Sequence, residues 1–160
     1  MKRSLAEWAN VAEIVGAFAI VVSLVFVGVQ IRDNTRATQN ATFQQNVGYE
    51  IGIFEALSAL DQETLNRYGA YIEGEATAPL PAAGDPAWWL FMAAIRLWED
   101  LYLQRQSGAL AEWAWDSREP TIRIFVTGPG VTRVLEQEVL TDQFADWIRT
   151  VRRDAGLESP

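Results

Sequence analysis

The amino-acid sequence predicts an all-α protein: one N-terminal transmembrane helix followed by a bundle of about five helices. Three observations point there. Residues 14–29 form an apolar run without a charged side chain. Downstream, apolar residues recur at helical spacing between recognisable caps and breakers. The one stretch that also reads as a short strand, at Ile122, Ile124, Phe125 and Val126, has no second strand to pair with.

As a helix, residues 14–29 are about 24 Å long, short of the ~30 Å hydrocarbon core. The flanks extend the run, and residues 8–31 span about 35 Å. Trp8 stands where an interfacial aromatic sits. Ile14, Phe18, Leu24, Phe26 and Val29 face hydrocarbon, Arg32 and Arg36 snorkel to the far headgroups, and Glu13 lies close enough to one end to reach the interface. A buried core helix would break its apolar pattern every turn or two. A cleaved signal peptide would use Lys2 and Arg3 as its basic region, but no small-residue cleavage site precedes Arg32. An anchor is the expected reading. Lys2 and Arg3 on one side balance Arg32 and Arg36 on the other, so basic residues alone do not set the orientation. Within the anchor, Ala12/Gly16 and Ala19/Ser23 are small residues four apart, candidates for helix–helix contact.

Composition removes several chemistries. With no cysteine and no histidine among 160 residues, there is no disulfide, thiolate site, histidine metal ligand or histidine base. Residues 1–36, the anchor with its flanks, carry four basic and three acidic side chains, net +1. Residues 37–160, an acidic Trp-rich helical domain, carry nine arginines against 18 acids, net −9. Nucleic acid is excluded as a partner, because its binding rests on phosphate neutralisation. The lipid bilayer is expected as a partner through the anchor alone.

After the anchor the sequence stays free of proline to Leu60. Val47, Ile51, Phe54 and Leu57 recur at helical spacing, so the anchor is expected to run on into this helix. Gly48, Gly52 and Ala56 form a small-residue ridge, read first as packing inside the domain and second as contact with another molecule's helix. Asp61 caps the next helix, which Gly74 stops; residues 74–85, rich in Pro, Gly and Ala, form a loop. Asp85 followed by Pro86 starts a long helix that ends at Gly108. Trp88, Phe91, Met92, Ile95, Trp98, Glu99 and Tyr102 form its main stripe, and Trp89, Ala93, Leu97 and Leu101 widen the apolar surface. Such a helix is central. Pro120 starts or kinks a helix, Gly128-Pro129-Gly130 is a turn, and residues 131–140 form a short helix. Thr141 caps a last helix with Asp142 early and Arg149, Arg152 and Arg153 late, as the helix dipole prefers, and Gly156 closes it.

No catalytic constellation emerges. There is no Glu-x-x-His pair, no calcium-loop spacing and no phosphate-binding glycine motif. Lys2 is the only lysine, so nothing activates a serine. Glu99–Asp100 and Glu136/Glu138 are the available carboxylate pairs, and helix faces produce such pairs routinely; Arg96 and Asp100 read as an i,i+4 ion pair. Asn40-Ala41-Thr42 matches a glycosylation acceptor by three residues alone. The unusual feature is seven tryptophans. They read first as core, and otherwise as anchors for docking on a larger membrane protein, for which Trp88, Trp89, Trp113 and Trp115 are the candidates.

Residues 12–38, "AEIVGAFAIVVSLVFVGVQIRDNTRAT", together with "RLWEDLYLQRQSGAL" at 96–110 and "TGPG" at 127–130, resemble a group of uncharacterised bacterial single-span membrane proteins with an N-terminal anchor and a helical domain. The resemblance implies a topology, the bacterial inner (cytoplasmic) membrane and a lean toward a cytoplasmic domain; it supplies no catalytic residues. The expected function is non-enzymatic and needs no cofactor: an accessory subunit that docks on and stabilises a larger integral membrane complex, an energy-transducing assembly being one such complex. The alternative is a membrane-tethered sensor whose helical domain binds an apolar small molecule.

Overall fold

The structure, a computed structural model, describes residues 5–73 and 84–157, with side chains from Trp8 onward. All regular structure among them is helical: α1 (Leu5–Ser58), α2 (Gln62–Glu73), α3 (Pro86–Gln106), α4 (Glu112–Asp116), α5 (Glu119–Thr127), α6 (Pro129–Glu136) and α7 (Asp142–Asp154). Lys2, Arg3, Gly74 and most of the expected loop after it lie outside the described residues. The chain divides into two units, Met1–Asn40 and Ala41–Pro160.

In the first unit every described residue from 8 to 38 is exposed. Ile14, Phe18, Leu24 and Phe26 expose 61–70% of their surface, and Trp8 exposes 59%. Among the described residues α1 is the one helix long and apolar enough to cross a membrane, and none of its most apolar stretch, mean hydropathy 2.6, is buried. A core helix would be covered. The small pairs leave this segment smooth. A Cβ at Gly16 would meet nothing within 4 Å, and Ser23 Oγ donates back to the Ala19 carbonyl at 2.8 Å instead of projecting a free hydroxyl.

In the second unit α3 is the central element, packed against α2, α4, α5 and α7. Its start follows from sequence chemistry. Asp85 has extended backbone, its Oδ1 accepts from Ala87 N at 3.0 Å, and Pro86 occupies the first turn. The same buried carboxylate accepts from Tyr71 Oη at 3.1 Å, which ties α2 to the cap. Asp61 caps α2 by accepting from Thr64 N at 2.7 Å. Gly108, at φ +75°, and Gly156, also at φ +75°, follow the ends of α3 and α7 in the left-handed region glycine favours.

Phe91, Ile95 and Leu101 of α3 are fully buried with Trp115, Ile122, Val126, Val131, Phe144 and Ile148. Trp89 and Ala93 instead face outward, so the expected widening of the α3 surface stops at Leu97 and Leu101. Among the described residues six helices follow α1 where about five are expected. The added one is α4, a five-residue turn around Trp115. Gly128-Pro129-Gly130 is also not a free turn. Gly128 is the N-cap of α6, Pro129 is in its first turn, and Gly130 is buried against Phe91 and Tyr71. Arg152, expected to serve its own helix end, reaches across instead. Its Nη1 donates to the carbonyls of Val126 and Gly128 at 3.1 Å each, and Nη2 to Thr132 Oγ1 at 2.9 Å. It thereby satisfies carbonyls at the end of α5.

Candidate functional site

From Ala41 onward, α1 meets the rest of the second unit through Phe43, Asn46, Glu50, Ile53 and Leu57, spaced three and four apart. Phe43 lies 5.0 Å from the Trp113 ring, centroid to centroid, and the Arg118 guanidinium sits 5.0 Å over Phe43. Asn46, 1% exposed, donates from Nδ2 to Gln104 Oε1 at 2.7 Å. Arg118 donates from Nε to Glu50 Oε1 at 2.5 Å, with side chains 13% and 22% exposed. A hydrophobic-only reading of the helix misses two of these contacts because they are polar. It therefore places the packing stripe on Val47, Ile51, Phe54 and Leu57. Ile51 and Phe54 are 51% and 69% exposed, and only Leu57 and half-buried Val47 survive from that stripe.

This polar latch leaves apolar grooves on both flanks of α1, sharing Ile53 and Leu97. One, about 350 Å³, lies between α1, α3 and α5, walled by Leu57, Tyr68, Ala94, Trp98 and Phe125, with Glu50, Ser117, Arg118 and Thr121 also lining it. Burial pushes the Tyr68 phenol up to about 12. The other, about 490 Å³ and shallower, runs along Gly48, Gly52, Leu90 and Ala93, with Arg96 and Asp100 at its edge. A Cβ at Gly48 or Gly52 would meet nothing within 4 Å, so the ridge does not pack inside the domain, the first of its two readings.

The carboxylates have structural partners. Buried Glu99 accepts from Thr141 N at 2.6 Å and from Arg96 Nη1 at 2.6 Å, joining α3 to the start of α7. Arg96 therefore pairs with Glu99, not with Asp100 as spacing suggests. Asp100 accepts from Gln104 Nε2 at 2.6 Å, and lost hydration together with the Glu99 charge raises its pKa. Glu136 and Glu138 are exposed. Among the described residues no three acidic side chains gather into a metal-binding group.

The tryptophans divide. Trp88, 8% exposed, stacks on Phe91, and Trp115, fully buried, donates from Nε1 to Glu119 Oε2 at 3.0 Å. Both are core, which corrects their selection as docking residues: Tyr71 and Phe91 pack on Trp88, and Tyr102 and Trp147 on Trp115. Trp89 and Trp113 are 63% and 59% exposed. Trp98 is 8% exposed and lines the 350 Å³ groove, and its Nε1 is buried without a hydrogen-bond partner among the described residues.

No family model, curated protein or solved structure matches the chain.

Proposed function

We propose that this is a single-pass protein of the bacterial inner membrane whose helical domain docks, as a non-enzymatic accessory subunit, on a larger integral membrane complex. The observation that carries the membrane assignment is the uncovered apolar segment of α1. Twelve of residues 14–31 are Leu, Ile, Phe or Val. At about −0.3 to −0.6 kcal/mol each near a helix centre, they favour insertion by roughly 4–7 kcal/mol, against few opposing polar groups. Docking is supported by Trp89 and Trp113, large rings left exposed on the domain, and by the open Gly48–Gly52 face. The non-enzymatic part is supported by the occupied carboxylates Glu99, Glu50 and Glu119. The test is capture of the tagged chain from native membranes in gentle detergent, followed by mass spectrometry. A stoichiometric integral membrane partner is expected, and Trp89→Ala should release it without changing the melting temperature. Migration of the native protein as a lone monomer overturns docking.

A second reading, a membrane-tethered binding domain, is favoured by the 350 Å³ groove. Its size falls in the small-molecule range and its walls are aromatic. Ligand-dependent melting of a partner-free protein would move the assignment there.

A further inference from the structure

Resting on that second reading, we propose that the groove between α1, α3 and α5 binds a neutral amphipath, an apolar chain or ring body carrying a hydroxyl or carbonyl oxygen. The body is matched by Leu57, Tyr68, Ala94 and Phe125, which offer hydrocarbon and aromatic surface and no charge.

The exclusion of ionic ligands comes from the groove's own charges. Glu50 and Arg118 are the two ionised side chains lining it, and they neutralise each other at 2.5 Å. Arg118 is further committed through Nη1 to the Ala114 carbonyl at 3.2 Å. An anionic ligand would have to strip Glu50 from Arg118, and a cationic one would have to strip Arg118 from Glu50. Either exchange leaves a partly buried charge without its partner. The net charge of −9 on residues 37–160 opposes an anion further.

The oxygen is called for by two donors. Thr121 lines the groove at an exposed position, so its hydroxyl is accessible at the mouth. Trp98 lines the groove, and its Nε1 is buried with no acceptor among the described residues. Rotation of the indole would present it to a ligand oxygen, satisfying a donor left unpaired among the described residues.

The experiment uses the full chain in lipid nanodiscs and a medium-chain diazirine probe in three forms: alcohol, alkane and carboxylate. Photolabelled peptides are mapped by mass spectrometry. The exposed apolar segment of α1 should be labelled by partition from lipid in every case, which makes it the internal control. The alcohol is expected to label the walls of the groove as well, about tenfold more than the carboxylate does. Thr121→Trp, at an exposed position, should remove the groove signal and leave the control unchanged. Leu57→Trp provides a second block, and far-ultraviolet circular dichroism shows that both variants fold. Trp98→Phe should cut alcohol labelling about threefold to tenfold relative to alkane labelling, the worth of one neutral hydrogen bond. Absence of groove labelling by any probe, with the control labelled, overturns the binding-domain reading itself. Equal groove labelling by alcohol and carboxylate leaves that reading standing and overturns the neutral class. An unchanged alcohol-to-alkane ratio in Trp98→Phe removes the indole from the site.

Discussion

Adding one methyl group has opposite consequences at two glycines of this domain. At Gly128 a Cβ would lie 2.5 Å from the Ile72 carbonyl oxygen, 2.7 Å from that of Tyr71 and 2.9 Å from Ile72 Cα. All three are backbone atoms and cannot rotate away. Gly128 has φ −66° and ψ 158°, a conformation any residue adopts, so space alone demands glycine there. Gly128→Ala therefore forces α6 off α2. Overpacking costs about 1–3 kcal/mol, and a backbone obstacle places this variant in the upper half of that range. For a domain of this size that corresponds to a fall in melting temperature of roughly 8–12 °C. Gly48 also lies on a backbone that alanine tolerates, inside α1, where an added Cβ meets nothing within 4 Å. Gly48→Ala gains helix propensity, about 0.8–1 kcal/mol, and should raise the melting temperature by a few degrees. Near-ultraviolet circular dichroism of the full chain in detergent, read through its tryptophans, measures both. Gly128→Ala melting within a degree of the parent would show that α6 does not approach α2 so closely. Gly48→Ala destabilising the isolated chain would show that the Gly48 face is covered.

Glu99→Ala should cost about 3 kcal/mol, because it leaves Thr141 N and Arg96 without their acceptor, and urea unfolding should register that loss whatever assay of activity is applied. A double-mutant cycle on Glu50 and Arg118 should give a coupling of about 1–2 kcal/mol, above the range of an exposed pair; a value near zero would mean that the latch does not hold α1. The acid limb of stability should begin near pH 4. Thr64 hydrogen bonds depress the Asp61 pKa, so their contribution is present above the unfolded value and is lost as pH falls through the folded one; Asp61→Asn, followed by thermal melts from pH 6 to pH 2, should flatten part of that limb. The alkaline limb has the opposite origin. Burial pushes the Tyr68 phenol up to about 12, so stability is full below about pH 10 and falls as the unfolded phenol ionises; Tyr68→Phe should soften the fall in a melt series from pH 9 to pH 12.

The punctuation of the fold was legible because it depends on local chemistry. Asp61, Asp85-Pro86, Gly108 and Gly156 act through their own backbone and nearest neighbours, and each stands where the sequence places it. The central position of α3 was legible from its breadth of apolar residues. Of the short helices between 109 and 136, those at Pro120 and after Gly130 were expected and α4 was not, since a helix of five residues is held by packing and carries little propensity signal of its own. Gly130 is the clearest case. Beside a proline it reads as a turn, yet its role is to let α6 pass close to Phe91 and Tyr71, a long-range fact that no local pattern carries.

The register of α1 shows why the candidate site was less legible than the fold. An apolar stripe is found by assuming that contact positions are hydrophobic, and here the contact positions include Asn46 and Glu50. Their partners, Gln104 and Arg118, lie 58 and 68 residues away, so the pairing cannot be inferred from spacing. The consequence reaches function. Interlocking aliphatic side chains along α1 would fill its flanks, whereas an amide pair and an ion pair join it to the bundle at discrete points and leave the apolar surface between them open as grooves. The polar groups that break the hydrophobic pattern are thus the reason a candidate site exists; the displaced register leaves exposed Ile51 on the outside and puts Phe54 at the edge of the 350 Å³ groove.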